Sequence, residues 1–171
     1  MNHELKYPNL MIRDATTADH DAILKITTSV FGGSTFEKNI DDTYGIIGGK
    51  DWEWRKRRHL FEDLEDDQGK CLVALEGEEV LGYVTMRMNY EAKIGHVPNL
   101  AVKESAANQG IGRALLNQAC QVMRMEGMEL ARIETLEQNP VGRHLYPAVG
   151  FEEIARQIYF AMDLRQGQTG D

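Results

Sequence analysis

The strongest constraint on this 171-residue chain is the passage from Leu100-Ala101-Val102 into Asn108-Gln109-Gly110-Ile111-Gly112-Arg113-Ala114-Leu115-Leu116. An apolar strand runs into a glycine-punctuated turn. The turn opens an amphipathic helix predicted over residues 110–126, with Ile111, Leu115, Ala119 and Val122 inward. The first backbone N–H groups of such a helix have no intrahelical acceptor, and the macrodipole is positive there. Phosphate oxygens bind at such a place, and glycine lets them approach because no Cβ intervenes. A dinucleotide fingerprint would need a further glycine where Leu115 stands, and no Gly-Lys-Ser/Thr follows for a P-loop. Both nucleotide readings fail.

The flanking pattern sets the architecture. Residues 10–13 read as a short strand, and Thr17 as the N-cap of a helix over 18–31 with Ile23, Ile26 and Val30 on one face. Residues 32–50, rich in Gly, Asp, Ser and Thr, read as a long loop. A helix from Asp51 to about Asp66 follows, with Trp54, Phe61 and Leu64 on one side. Residues 71–75 and 80–90 form a hairpin across Glu76-Gly77-Glu78-Glu79, and 94–102 a third strand. Residues 131–135 are a strand, 140–149 a helix stopped at Gly150, and 151–163 two more short strands. The tails 1–9 and 165–171 are expected to fray. This order is an α+β sandwich in one domain: an antiparallel run, then one β-α-β crossover.

Composition narrows the function classes. A net charge of −8 argues against binding nucleic acid, which needs a basic surface. No apolar run approaches the roughly 20 residues of a membrane span, and the first residues lack a signal-peptide pattern, so a cytoplasmic location is expected. Cys71 and Cys120 have no paired spacing, and the five histidines no ligand spacing, so neither a disulfide nor a metal is expected.

The turn Ala107-Asn108-Gln109-Gly110-Ile111-Gly112 stands in order with a second segment, Asn139-Pro140-Val141-Gly142-Arg143-His144-Leu145-Tyr146-Pro147-Ala148-Val149-Gly150-Phe151. Together they resemble the two signatures of the GNAT superfamily of acyl-CoA-dependent N-acyltransferases, a resemblance covering about residues 10–163. The first family pattern is Arg or Gln, two residues, Gly, one residue, then Gly or Ala. Ala107 departs from it. The resemblance implies the GNAT fold, a mixed, mostly antiparallel central sheet flanked by helices, with acetyl-CoA as co-substrate. It implies that main-chain groups of Leu100, Ala101 and Val102 pair with the pantetheine arm. It also implies that Ala107, Asn108, Gln109, Gly110, Ile111, Gly112 and Arg113 hold the pyrophosphate. Asn139, the expected N-cap of the helix from Pro140, is placed to touch the pantetheine. Pro98 independently predicts that strand 94–102 diverges from a partner, since proline cannot donate a ladder hydrogen bond.

Acetyl transfer to an amine sets three tasks: deprotonating the ammonium, stabilising an oxyanion and assisting the leaving thiolate. The resemblance places a base on either strand beside the opening, where His96 and Glu134 stand. An imidazole titrates near 6.5 unperturbed, whereas Glu134 needs its pKa raised by burial or must act through water. The polar neighbours Glu137 and Gln138 favour Glu134 slightly, and Glu91 is a distant third. Ordinary strand-end and strand-histidine roles remain equally open for both. Tyr146 is the expected hydrogen-bond donor to the thiolate. Neither cysteine has the electropositive setting of a nucleophile, so direct attack is expected rather than an acyl-enzyme.

Substrate choice is expected in residues 32–66. Trp52 and Trp54 either wall a pocket or pack as helix aromatics. Arg55-Lys56-Arg57-Arg58 reads as a solvated face or, less readily, as a contact for a carboxylate or phosphate on the acceptor. A primary amine of a small molecule or of a protein is the expected acceptor, and a homodimer is possible. The competing function is a non-catalytic acyl-CoA-binding regulatory module on the same fold.

Overall fold

The computed structural model describes residues 7–33 and 35–166. Strand β1 (Met11–Asp14) leads into α1 (His20–Val30), α2 (Phe36–Tyr44) and α3 (Trp52–Leu64). Strands β2 (Gly69–Glu76), β3 (Glu79–Asn89), β4 (Ile94–Val97) and β5 (Leu100–Val102) follow. Helix α4 (Ile111–Met125), β6 (Leu130–Ile133) and α5 (Pro140–Val149) complete the described elements. The sheet has the order β1-β2-β3-β4-β6, with β5 pairing β3 alongside β4. All pairs are antiparallel except β4 with β6, the parallel pair that α4 connects.

Two cores sit on opposite faces of this sheet. Helix α4 presses Ile111, Leu115, Leu116, Ala119 and Met123 onto Leu72, Val84, Met86 and Val97. On the other face Ile23 and Ile26 of α1 and Leu60 of α3 cover Val73, Leu75 and Tyr83. The strand alternation expected of a sheet covered on both sides is thereby met. Gly95 is forced by the first packing, because a Cβ there would run into the Met123 side chain.

Several expectations need correction. Residues 32–50 are not all loop: α2 forms there, with the Thr35 hydroxyl accepting from Lys38 N at 3.0 Å. Thr16, not Thr17, starts the first helical segment, in a capping box with Asp19, and α1 proper begins at His20. Trp54 is 48% exposed, and Leu60 is the side chain α3 buries most deeply. Residues 151–163 carry no strand; they run exposed after α5, for want of a neighbouring backbone to pair with. Within the tails expected to fray, the Arg165 guanidinium donates to Tyr44 O at 2.8 Å and Tyr7 O accepts from Leu10 N. Residues 1–6 and 167–171 lie outside the described part.

Candidate functional site

Strand β4 stops at Val97 and β5 resumes at Leu100, so the expected strand 94–102 is broken at Pro98–Asn99. Beyond the break β6 no longer follows: it pairs β4 only, and β5 pairs β3 only. The two parallel strands therefore splay where proline predicts it. Asn99 O accepts from Thr85 N and Lys103 N donates to Leu81 O, so Ala101 between them faces β3 as well. By the antiparallel alternation, the backbone groups of Leu100 and Val102 point to the open side. This corrects one assignment: Ala101 spends its main-chain groups on Tyr83 and has none for a ligand.

At the end of that open edge stands the start of α4. Gly110 adopts φ 80°, a left-handed value that residues with a Cβ rarely take, with nothing within 4 Å of where a Cβ would lie. Asn108, at φ 59°, shares the left-handed bend. The first intrahelical bond is Ala114 N to Gly110 O, so the amides of Ile111, Gly112 and Arg113 precede any helical acceptor. No side chain caps them. A Cβ on Gly112 would lie 3.3 Å from Leu145 of α5 and 3.7 Å from Val102 of β5, which fixes the turn between those two elements. Arg113 donates to Ala148 O at 3.4 Å, and Ala107 is exposed. Asn139 caps α5 as expected, accepting from Gly142 N at 3.4 Å and donating to Thr135 Oγ1 at 2.9 Å. A diphosphate fits here: open space, unspent amides and a positive helix end converge beside the unpaired edge of β5.

The two candidate bases touch. His96 Nε2 and Glu134 Oε1 are 2.7 Å apart, and Arg132 lies 3.9 Å from the other carboxylate oxygen. The hydrogen bond from His96 lowers the Glu134 pKa, against a smaller opposing effect of burial. Burial alone therefore does not raise Glu134 in this arrangement. An ionised Glu134 can only accept, so Nε2 carries the hydrogen, and in the neutral imidazole Nδ1 then holds the lone pair. Tyr146 on α5 is pushed up to about 12, first by burial and then by the charge on Glu134. Its ring lies 6.4 Å from that of Phe151. The structure thus pairs His96 with Glu134 and sets Tyr146 within electrostatic reach of that carboxylate, while Glu91 is exposed in the turn after β3.

A groove of about 670 Å³ opens on the α3 face of the sheet edge, lined by Arg87, Met88, Tyr90, Ile94, His96 and Arg132. His96 lies at the boundary between this groove and Glu134. Glu137 pairs with Arg156, and Gln138 exchanges hydrogen bonds with Asn39 of α2, which joins α2 to the same side.

Behind the splay lies a polar hub that sequence reasoning missed. Asn99, 3% exposed, accepts from Lys56 Nζ at 2.7 Å and donates to Asp63 Oδ2 at 2.6 Å and Thr85 Oγ1 at 3.0 Å. Arg87 Nε donates to the other Asp63 oxygen at 2.6 Å. Burial lowers the Lys56 pKa, and its ammonium also sits 4.3 Å from the Phe31 ring centroid. Arg55 pairs with Asp41 and donates to Lys50 O at 2.7 Å. The first two members of the basic run are thus partly buried and hold partners within the chain. Only the residue pattern of Asn after Pro98 hinted at the hub, because its partners are distant in sequence.

Burial pushes the Cys71 thiol up to about 12 and raises Cys120, which removes both as thiolates near neutrality. Among the described residues no group of His, Cys, Asp and Glu could hold a metal ion, and no helix is long and apolar enough to cross a membrane.

Residues 35–151 match the family model for the acetyltransferase (GNAT) family. The chain is similar to the chloroplastic GCN5-related N-acetyltransferase 6 of Arabidopsis thaliana, 29% identical over 51% of this chain and 31% of that protein. It is also similar to an N-alpha-acetyltransferase of Sulfurisphaera tokodaii, 30% identical over 56% of this chain and 64% of that protein. The match thus spans less than two thirds of either relative. Among solved structures, AAC(6')-Iy in complex with the bisubstrate analog CoA-S-monomethyl-acetylneamine superposes with a TM-score of 0.65. That match has 15% identity and covers 91% of this chain and 99% of the other, a likeness of fold.

Proposed function

Since the chain belongs to the acetyltransferase (GNAT) family, we propose that it moves an acetyl group from acetyl-CoA to a primary amine by direct attack. When bound, acetyl-CoA supplies a thioester carbonyl as the electrophile. The backbone groups of Leu100 and Val102 extend the sheet onto the pantetheine arm, and the amides of Ile111, Gly112 and Arg113 hold the diphosphate. Gln109 and Gly110 shape that turn, and Asn139 fixes the start of α5 beside it.

An alkylammonium has a pKa near 10.4, so at neutral pH it must shed a proton before its nitrogen can attack. His96 Nδ1 takes that proton from the groove side. Glu134, accepting from Nε2, orients the ring and stabilises the imidazolium that forms, as the carboxylate of a catalytic triad does. Tyr146 keeps its proton: transfer to a thiolate of pKa about 8.5 from a phenol at about 12 is uphill by roughly 5 kcal/mol. It contributes a hydrogen bond that strengthens as charge grows on sulfur. With both thiols raised, no cysteine competes as an acyl carrier.

The observation that carries this reading is the His96–Glu134 pair where β4 and β6 begin to splay. The acceptor is a small-molecule amine or a peptide amine entering by the groove of Arg87, His96 and Arg132, whose mixed charge includes Asp66 and Glu91. Free-thiol release from acetyl-CoA, assayed over amino acids, polyamines, aminoglycosides and N-terminal peptides, tests it. At least one class should give turnover dependent on His96. If every amine fails although coenzyme A binds, the regulatory reading takes its place.

A further inference from the structure

Two guanidiniums line the groove beside His96, and only one of them is committed. Arg87 of β3, His96 of β4 and Arg132 of β6 are register partners across three adjacent strands, so their side chains rise in a row from one face of the sheet. Arg87 Nε donates to Asp63 Oδ1 at 2.6 Å, its Nη2 lies 2.5 Å from the same oxygen, and Asp66 stands 3.6 Å from its Nη1. Arg132 has no such hold. Its nearest acid oxygen, Glu134 Oε2, is 3.9 Å away, past hydrogen-bond length, and its side chain makes no hydrogen bond among the described residues. The other Glu134 oxygen is taken by His96. An exposed guanidinium with its donors free therefore stands one strand spacing from the proposed base.

That spacing suits one kind of acceptor. Neighbouring strands lie roughly 4.8 Å apart, and an α-amino acid holds its nitrogen about 2.5 Å from its carboxylate carbon. With a hydrogen bond at each end, an amine over His96 Nδ1 sets its own carboxylate against Arg132. The planar guanidinium matches a carboxylate with two parallel N–H···O bonds. Ile94, two residues before His96 and so on its face, lines the groove with Tyr90 and gives the acid's side chain an apolar wall. A polyamine offers Arg132 no anion and adds positive charge beside it.

On the acetyl-transfer reading, on which this inference rests, we propose that the acceptor is a free α-amino acid with an apolar side chain, and that Arg132 determines this specificity by holding its carboxylate. His96 takes one proton from the ammonium and later returns it to water. The nitrogen–acetyl bond forms as the thioester C–S bond breaks, and the nitrogen's other surplus proton leaves with the sulfur. The products are an N-acetyl amino acid and the free thiol of coenzyme A.

Leucine and leucinamide, alike except for the carboxylate, are the probes. Each is assayed for free-thiol release and titrated calorimetrically into the protein saturated with coenzyme A. Leucine should be preferred at least about thirtyfold in kcat/KM and in affinity. The amide carries the less basic amine, which eases its deprotonation, so that preference cannot come from proton loss. Arg132→Gln should raise the KM for leucine at least about thirtyfold with kcat within about threefold, and erase the preference; Arg132→Lys should restore part of it. Equal turnover of both probes, or a preference that survives Arg132→Gln, overturns the carboxylate anchor and leaves acetyl transfer standing. Arg132-dependent binding of leucine without thiol release keeps the anchor and removes the acetyl-transfer reading. If leucine neither binds nor turns over, the proposal falls. A peptide amide beginning with aspartate carries its carboxylate one carbon further from the amine; its turnover with leucine inert overturns the free amino acid as acceptor.

Discussion

Replacing Asn99 by alanine should unlock the junction on which the splay depends. The side chain is 3% exposed and makes bonds to Lys56 and Asp63 at 2.7 and 2.6 Å. Hydrogen bonds to charged groups contribute about 1.5–3 kcal/mol each, so the two together set a ceiling near 6 kcal/mol. Part of that loss is relieved because the stranded Lys56 ammonium can give up its proton. The expected cost at pH 7 is about 3–4 kcal/mol, or roughly 6–15 °C in Tm. Burial already holds the Lys56 pKa below 10.5. The unfolded state therefore binds more protons between the lowered value and 10.5, and stability rises with pH across that window. Removing Asn99 lowers the folded value further, so the deficit of the variant should shrink between pH 7 and pH 9.5. Urea unfolding at both pH values, with Lys56→Met as a second background, reads this directly. Asn99→Ala and Lys56→Met should be non-additive by about 1–2 kcal/mol. A cost below about 1 kcal/mol, a deficit constant with pH, or simple additivity would refute the hub.

Three further outcomes follow from the geometry. His96→Gln should lower turnover at least about a hundredfold and abolish the acidic limb of the thiol-release profile, and Glu134→Gln should lower it about tenfold. The double variant should be no slower than His96→Gln alone, whereas multiplying losses would show that the two act separately. Tyr146→Phe should cut turnover by about ten- to a hundredfold with coenzyme A affinity intact; equal loss of both in calorimetry would leave Tyr146 a packing residue. Asp19, 6% exposed, accepts from Arg13 and from Thr16 N, and the Arg13 bond holds its carboxyl well below the usual range. That stabilisation is complete above the ordinary Asp value and fades as pH falls through the depressed one. Asp19→Asn should thus cost about 2–3 kcal/mol at pH 7 and keep most of that cost at pH 3 in urea unfolding; a cost already lost at pH 3 would contradict it.

What the sequence made legible was local. The turn at Gly110 and helix α4 were readable because a left-handed glycine, a run of inward apolar residues and the preceding strand are contiguous. Pro98 announced the break in its strand for the same reason. Helix α2 was obscured by the Gly, Asp, Ser and Thr around it, although Phe36, Ile40 and Tyr44 at i, i+4 and i+8 carried the signal. The Asn99 hub joins Lys56, Asp63 and Thr85 from two other elements, and such pairings leave no periodic trace. His96 and Glu134 were each visible as candidates, but their contact depends on the parallel register of β4 with β6. That contact is what leads the proposed mechanism to give the base role to His96. The tail at 151–163 showed strand alternation without any indication of what it pairs with.

The account turns on the claim that the unspent amides at the start of α4 anchor a diphosphate beside the open edge of β5. Isothermal titration with coenzyme A and, in parallel, with pantetheine, which lacks the diphosphate, measures that anchor. Coenzyme A should bind at least about a hundredfold more tightly than pantetheine. Equal affinities, or no heat with coenzyme A at all, would contradict it.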